Sequence, residues 1–263
     1  ASYSSAQDMM GCGLRWWLKK EKGYTEHPAW WSVGGVAVHK ATEAYDLGKD
    51  GTPDGWFADA WDETLAEQVQ ASDVDPEFWR SSRNQTQDWW LKQGSVMVQS
   101  WVDWREESGW DILEVNGRRG VELPVSPMVG GIRLKGFIDR VFVDTNGQVV
   151  IMDLKTGARK PDSALQLGYY RVGMMEEYGV TADWGAWFLP RKKPGEQMVT
   201  EDIGKYSVDY IARLTGGFKA QVESGIFLPN TSSWCGSCGM RKHCWAQAQQ
   251  ITDDTPIPPG VSV

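Results

Sequence analysis

Three short runs between Gly136 and Tyr170 hold the residue types that a hydrolytic metal centre needs: Gly136-Phe-Ile-Asp139-Arg140, Ile151-Met-Asp153-Leu-Lys155-Thr-Gly157 and Gln166-Leu-Gly-Tyr169-Tyr170. Two carboxylates brought close together repel unless one takes up a proton or a cation sits between them. Mg²⁺ or Mn²⁺, bound through one or two carboxylates plus waters, relieves that repulsion. Such an ion can bind a phosphate oxygen, lower the pKa of a water and stabilise charge on a leaving oxygen. Lys155, two residues beyond Asp153, stands where an ammonium can orient that water and stabilise a transition state. Gln166 and Tyr170 are four apart, so on a helix they share a face and both reach the site, which leaves Tyr169 for packing.

These side chains meet only if the strands carrying Asp139 and Asp153 pair in the right register. Alternation puts Asp153 and Lys155 on one face with Ile151, and Met152 and Leu154 on the other. Asn146-Gly147 ordinarily suggests a two-residue turn, but that register pairs Val143 with Val150 and sets Asp139 opposite Leu154, parting the two aspartates. A three-residue loop, Thr145-Asn146-Gly147 with Gly147 left-handed, pairs Asp144 with Gln148 and Asp139 with Asp153. The three-residue loop is therefore the expected one.

Around this hairpin the residue pattern predicts helices from Ser4 to about Lys20, about Ser32 to Leu47, Trp56 to Val69 and Pro76 to about Glu106. Strands follow at Val121–Val125, Ile132–Val143 and Val149–Leu154, then a helix from about Pro161 to Tyr178. Two more strands, Ala182–Pro190 and Gln197–Ile203, precede a helix from Val208 to Glu223. The fold class is α/β: a mixed β-sheet flanked by helices behind a helical N-terminal half. No repeat interrupts the chain, which reads as one domain over residues 1–263, and the Pro-rich tail from Thr252 to Val263 is its one loose piece.

With 263 residues, 41% of them hydrophobic and 12% aromatic, the chain can bury a core, which excludes a disordered or fibrous protein. No apolar run approaches the ~20 residues of a membrane helix and no secretion signal opens the sequence, so the expected place is the cytoplasm. A net charge of -8 and a pI of 5.0 exclude a protein that coats nucleic acid through a general basic field. Locally the balance reverses: Arg133, Lys135, Arg140, Lys155, Arg159 and Lys160 outnumber Asp139, Asp144 and Asp153, which predicts a basic groove on an acidic body. The sixteen Trp include adjacent pairs that cannot all face one groove, so most are expected in the core and at most a few as base-stacking platforms.

Cys235-Gly-Ser-Cys238 and Cys244 form a CxxCx5C run, and Cys12 is the remaining cysteine. In a cytoplasmic protein this spacing favours a metal site over disulfides. Three C-terminal thiolates need a fourth ligand, and Cys12 would supply it from the other end of the chain. Closing so long a loop would remove roughly 5 kcal/mol of unfolded-chain entropy by the cross-link formula. By spacing alone, zinc held by four thiolates, or by three with His243, stands level with an iron-sulphur cluster.

Taken together, the runs at Asp139, Asp153-Leu-Lys155 and Gln166-to-Tyr170 resemble the PD-(D/E)XK nuclease superfamily, and within it the RecB-type nucleases. The resemblance implies a restriction-endonuclease-like sheet and makes Asp139, Asp153, Lys155, Gln166 and Tyr170 the catalytic set. It also expects a histidine on an earlier helix, and Gly35-Val-Ala-Val-His39-Lys-Ala-Thr-Glu43 supplies it, giving His39, Asp139 and Asp153 as metal ligands with Glu43 orienting His39. Glu122 matches a frequent family glutamate and is expected to support the site rather than to ligate. One N-terminal cysteine and a terminal CxxCx5C around such a core resemble the iron-sulphur nucleases, including AddB-type domains and CRISPR-associated RecB-like exonucleases. That implies a structural 4Fe-4S cluster on Cys12, Cys235, Cys238 and Cys244. The nuclease core is then about 111–205, preceded by a helical insert at about 51–107 and followed by a cluster-binding segment at about 229–248. The implied activity is a Mg²⁺- or Mn²⁺-dependent exonuclease acting on single-stranded DNA or DNA ends in recombination or end processing. A DNA-end-binding subunit of a larger complex, such as one for CRISPR spacer capture, is the alternative.

Overall fold

The computed structural model describes residues 2–82, 84–248 and 255–259, so most of the Pro-rich tail expected to be loose lies outside the described residues. The first half is helical: α1 (Tyr3–Gly11), α2 (Gly13–Lys20), α3 (Trp30–Asp46), α4 (Pro53–Gln70) and α5 (Gln87–Ser108). Two helices differ most from the sequence expectation. The helix predicted from Ser4 to Lys20 is two helices, broken at Cys12, whose backbone is extended at φ -164 and ψ 106. Gly11 and Gly13 flank the break, and glycine is a poor helix former. The helix predicted from Pro76 begins only at Gln87, where the Thr86 hydroxyl accepts the Trp89 N–H at 3.3 Å. Pro76–Phe78 form a single 3-10 turn capped by Asp75, because the polar run that follows offers turns rather than a helix.

The strands are β1 (Asp111–Ile112), β2 (Glu114–Val115), β3 (Arg118–Arg119), β4 (Val121–Val125), β5 (Met128–Val129), β6 (Ile132–Arg133), β7 (Gly136–Val143), β8 (Val149–Leu154), β9 (Trp184–Phe188) and β10 (Met198–Asp202). Six of them make one mixed sheet in the order β1-β7-β8-β9-β10, with β4 also paired to β7; β2-β3 and β5-β6 are separate two-stranded ribbons. The predicted strand Ile132–Val143 is split, with Leu134 buried between its halves. β8 and β9 run parallel, which requires a crossover. It is made by α6 (Leu165–Tyr178), and α7 (Val208–Ser224) follows the sheet.

β7 and β8 pair Val143 with Val149, Phe142 with Val150, Val141 with Ile151 and Arg140 with Met152. Asp144 N–H donates to the Gln148 carbonyl at 2.9 Å, and Gly147 has φ +79, a conformation that glycine adopts without a Cβ clash. The loop is thus the three-residue one, and one further step of the register sets Asp139 opposite Asp153.

Helices α3, α4 and α5 cover one face of the sheet, where Val38, Trp90 and Trp101 pack with Phe142, Met152, Leu154 and Phe188. The approach is close: a Cβ on Gly34 of α3 would come within 2.0 Å of the Trp90 ring. On the other face Leu167 and Val172 of α6 and Ile211 of α7 meet Val141, Ile151 and Trp187. A third, smaller core ties the two ends of the chain, with Met9, Leu14 and Trp17 against Phe227 and Met240. Trp90, Trp101 and Trp187 are fully buried, and among the described residues only Trp184 and Trp234 are largely exposed. Core packing is what most of the tryptophans do. No helix among the described residues is long and apolar enough to cross a membrane.

Candidate active site

Asp139 comes from β7, Asp153 from the end of β8 with Lys155 just beyond it, His39 from the middle of α3, and Gln166 and Tyr170 from one face of α6. The sheet end brings all six together. Asp139 Oδ2 accepts the Leu154 N–H at 3.1 Å and lies 3.2 Å from His39 Nδ1. Asp153 Oδ1 accepts from Gln166 Nε2 at 2.6 Å, and Gln166 also donates to the Tyr170 hydroxyl at 2.9 Å. Lys155 Nζ stands 2.6 Å from the buried Asp153 Oδ2 as its ion-pair partner. Tyr169 is buried and packs edge-on against Tyr3 at 5.5 Å.

His39, Glu122 and Asp139 each present a ligand atom within 4.8 Å of the other two, the one such metal-binding group among the described residues. Glu122, expected only to support the site, therefore stands in the ligand group. Asp153, expected there, lies beside it in the grip of Gln166 and Lys155. Glu122 reaches its place with a left-handed φ of +45 inside β4, a conformation that costs a non-glycine residue on the order of 1–3 kcal/mol and persists where surroundings impose it. Nothing in its residue type announces that φ. Glu43 lines the same cleft, of about 530 Å³, but makes no hydrogen bond to His39, so the expected orienting role is not seen.

Burial sets the charge state of the site. Asp153 is pushed up to about 7 by burial and by the neighbouring Asp139 carboxylate, against the pull of Lys155. Glu122 is raised to about 7 by the same two causes. Burial also raises Asp139, which Lys155 and Arg140 pull back. His39 is held down to about 4 by burial, which keeps its imidazole neutral and its lone pair free for a metal. Three crowded acids and a neutral histidine are the donor set of a hard divalent cation.

Behind the acids lies a network that the sequence did not reveal. Arg140, counted toward the basic groove, is only 2% exposed and belongs to the interior. Its Nε donates to Asp46 Oδ2 at 2.6 Å, Nη1 to the Asp139 carbonyl at 2.6 Å and Nη2 to Thr42 Oγ1 at 3.2 Å. Asp46 also accepts from Arg105 Nε at 3.1 Å and Trp101 Nε1 at 3.0 Å. Lys160 leaves the groove too, ion-paired with Glu201. Thr42 and Asp46 follow His39 by three and seven residues on α3, one helix face, and that spacing was the available signal.

The family model of the PD-(D/E)XK nuclease superfamily matches residues 1–245. The chain belongs to that superfamily. As a PD-(D/E)XK nuclease it takes nucleic acid as its substrate class and a divalent metal as its cofactor. The chain is 27% identical to the Gene 69 protein of Mycobacterium phage L5 over 253 residues, covering 82% of this chain and 86% of the phage protein. Among solved structures, SSO0001 aligns with 92% of this PD-(D/E)XK chain and 85% of its own at 13% identity and a TM-score of 0.38, too loose a superposition to add to the assignment.

Proposed function

We propose that this PD-(D/E)XK chain is a RecB-type DNA exonuclease of the cytoplasm that hydrolyses single-stranded DNA or DNA ends in recombination or end processing. The observation that carries the reading is the His39–Glu122–Asp139 group set beside an intact Asp153–Lys155 pair. His39, Glu122 and Asp139 would hold Mg²⁺ or Mn²⁺, with Asp153 at the edge of the group. When bound, that ion supplies Lewis-acid activation of a phosphoryl oxygen and a lowered water pKa.

The side chains do the rest. Asp153, titrating near neutrality, can accept a proton at Oδ2 from an attacking water. Lys155 Nζ, 2.6 Å away, orients that water and offsets charge growing on the phosphate. Gln166 fixes the Asp153 rotamer through Oδ1 and ties it to Tyr170, which with Gln166 faces the cleft where the backbone enters.

The resemblance of their spacing to that of the iron-sulphur nucleases assigns the four cysteines to a 4Fe-4S cluster. All four line one small cavity of about 30 Å³ between the break at Cys12, α2 and the 229–247 segment. Backbone N–H groups of Asn230 and Ser232 donate to the sulphurs of Cys12 and Cys235, each at 3.4 Å.

The test is anaerobic purification with iron analysis and a visible spectrum, then Mn²⁺ or Mg²⁺ with linear DNA labelled at either end and with circular single strands. An exonuclease shortens linear strands from an end and spares circles. Cleavage of circles sinks the exonuclease reading, a colourless zinc protein sinks the cluster, and a protein that retards DNA without shortening it is a binding subunit.

A further inference from the structure

The catalytic roles above leave three cleft residues without a task. On the α6 side of the acids lies a cleft of about 520 Å³, lined on its inner wall by Lys155, Gln166 and Tyr170 and on its outer wall by Tyr3, Lys135 and Phe137. Phe137 is 60% exposed although its strand neighbours Ile138, Asp139, Arg140 and Val141 are all buried. It precedes Asp139 by two positions, so it shares a strand face with the metal ligand about 6.6 Å along β7. Lys135 is exposed and has no ion-pair partner among the described residues. The Tyr3 hydroxyl makes no hydrogen bond there either, while its ring is held against Tyr169 at 5.5 Å and 64°.

We infer that this outer wall is a subsite for one unpaired nucleotide next to the scissile phosphate, with its base stacked on Phe137 and its phosphate held by Lys135 and the Tyr3 hydroxyl. The assignment deepens the nuclease reading and rests on it for the scissile position. Two ammonium groups and a phenol on one cleft, in a chain of net charge -8, suit a phosphate bridging them. An exposed aromatic beside that phosphate suits a base, because every base offers a π-face and stacking needs no particular sequence. Only an unpaired base has that face free, since in a duplex both faces are covered by neighbours. Phe137 thus selects single strands or frayed ends.

Full-length protein and the variants Phe137→Ala, Phe137→Trp, Lys135→Ala and Tyr3→Phe are compared in three assays. These are binding of a short labelled oligothymidylate and of a blunt duplex in Ca²⁺, steady-state cleavage of the oligothymidylate in Mn²⁺, and hydrolysis of an abasic oligodeoxyribonucleotide, a diester without a base or other aromatic ring. Phe137→Ala is expected to weaken oligothymidylate binding and raise its KM about tenfold, the loss of one stacked base. Its kcat, its hydrolysis of the baseless diester and its duplex binding stay within about twofold of the parent, and Phe137→Trp recovers the affinity. Lys135→Ala lowers the slope of log affinity against log salt by about 0.7, one phosphate contact on a single strand. Tyr3→Phe raises KM about threefold by removing one hydrogen bond. Unchanged oligothymidylate affinity in Phe137→Ala, or an equal loss for the duplex, overturns the subsite. Phe137-dependent binding by a protein that cleaves neither substrate overturns the nuclease reading and supports the subsite.

Discussion

The acid–lysine site and the cysteine cavity are built by opposite means. Both gather residues from distant parts of the chain. The acids stand on paired strands, with Asp139 and Asp153 buried and Glu122 half-buried, and are backed by the Asp46–Arg140–Arg105 network. The cysteines stand at a helix break and on 3-10 turns, and all four are only partly buried. The contrast teaches that one centre is shaped by paired strands and a buried polar network, whereas the other sits in irregular backbone whose neighbours are held by a small apolar core.

If that contrast is right, the two regions fail differently. Lys155→Ala should reduce DNA cleavage by about 10³-fold, the scale of a lost electrostatic stabiliser, while its Tm stays within about 2 °C of the parent. Kinetics and a thermal melt read both halves, and a large loss of Tm would deny that the site is preformed. Asp46→Ala should do the reverse and destabilise by about 3–5 kcal/mol, because it strands two guanidinium groups behind the acids. Denaturant unfolding measures it, and a loss under about 1 kcal/mol would mean that the network does not brace the site. Cys12→Ser should fall between, costing about 2 kcal/mol. Its proteolysis should begin at the chain termini, with the 111–205 sheet still protected, as hydrogen exchange would map.

A smaller effect concerns pH. In the folded chain Asp153 and Glu122 are raised to about 7, against unfolded values near about 4. Between those values the folded state binds the extra protons, so its stability falls as pH rises through the window. His39, lowered to about 4, acts in the opposite sense, since below about 6.5 the unfolded chain takes up the proton. Two carboxyls outweigh one imidazole. In chelator, Tm should be a few degrees higher near about pH 5.5 than near about pH 7.5. Mn²⁺ should raise Tm more at the higher value, and Asp153→Asn should flatten the profile. A metal-free Tm that rises with pH would contradict the crowding of acids.

What the sequence reveals follows from how local each constraint is. The hairpin register could be derived because a one-residue slip separates Asp139 from Asp153, and the Asp144–Gln148 hydrogen bond bears it out. The Gln166–Tyr170 pair is legible because four-residue spacing on a helix is a local signal, whereas His39 is legible only through the family resemblance. Asp46 is not, since its partners Arg105 and Arg140 stand 59 and 94 residues away. Glu122 owes its place to a backbone angle that no residue-type pattern encodes. The helix break at Cys12 is readable only in hindsight, from the two glycines that bracket it.

Helix α1 makes the two centres less separate than their construction suggests. Its nine residues form a rod roughly 13 Å long, with Tyr3 on the cleft at one end and Cys12 at the thiol cavity at the other. Along the way Ala6 packs into the main core and Met9 into the terminal one. A shift of its C-terminal end would therefore carry the Tyr3 phenol with it. A single protease cut at Gly11 would part the phenol end from Cys12.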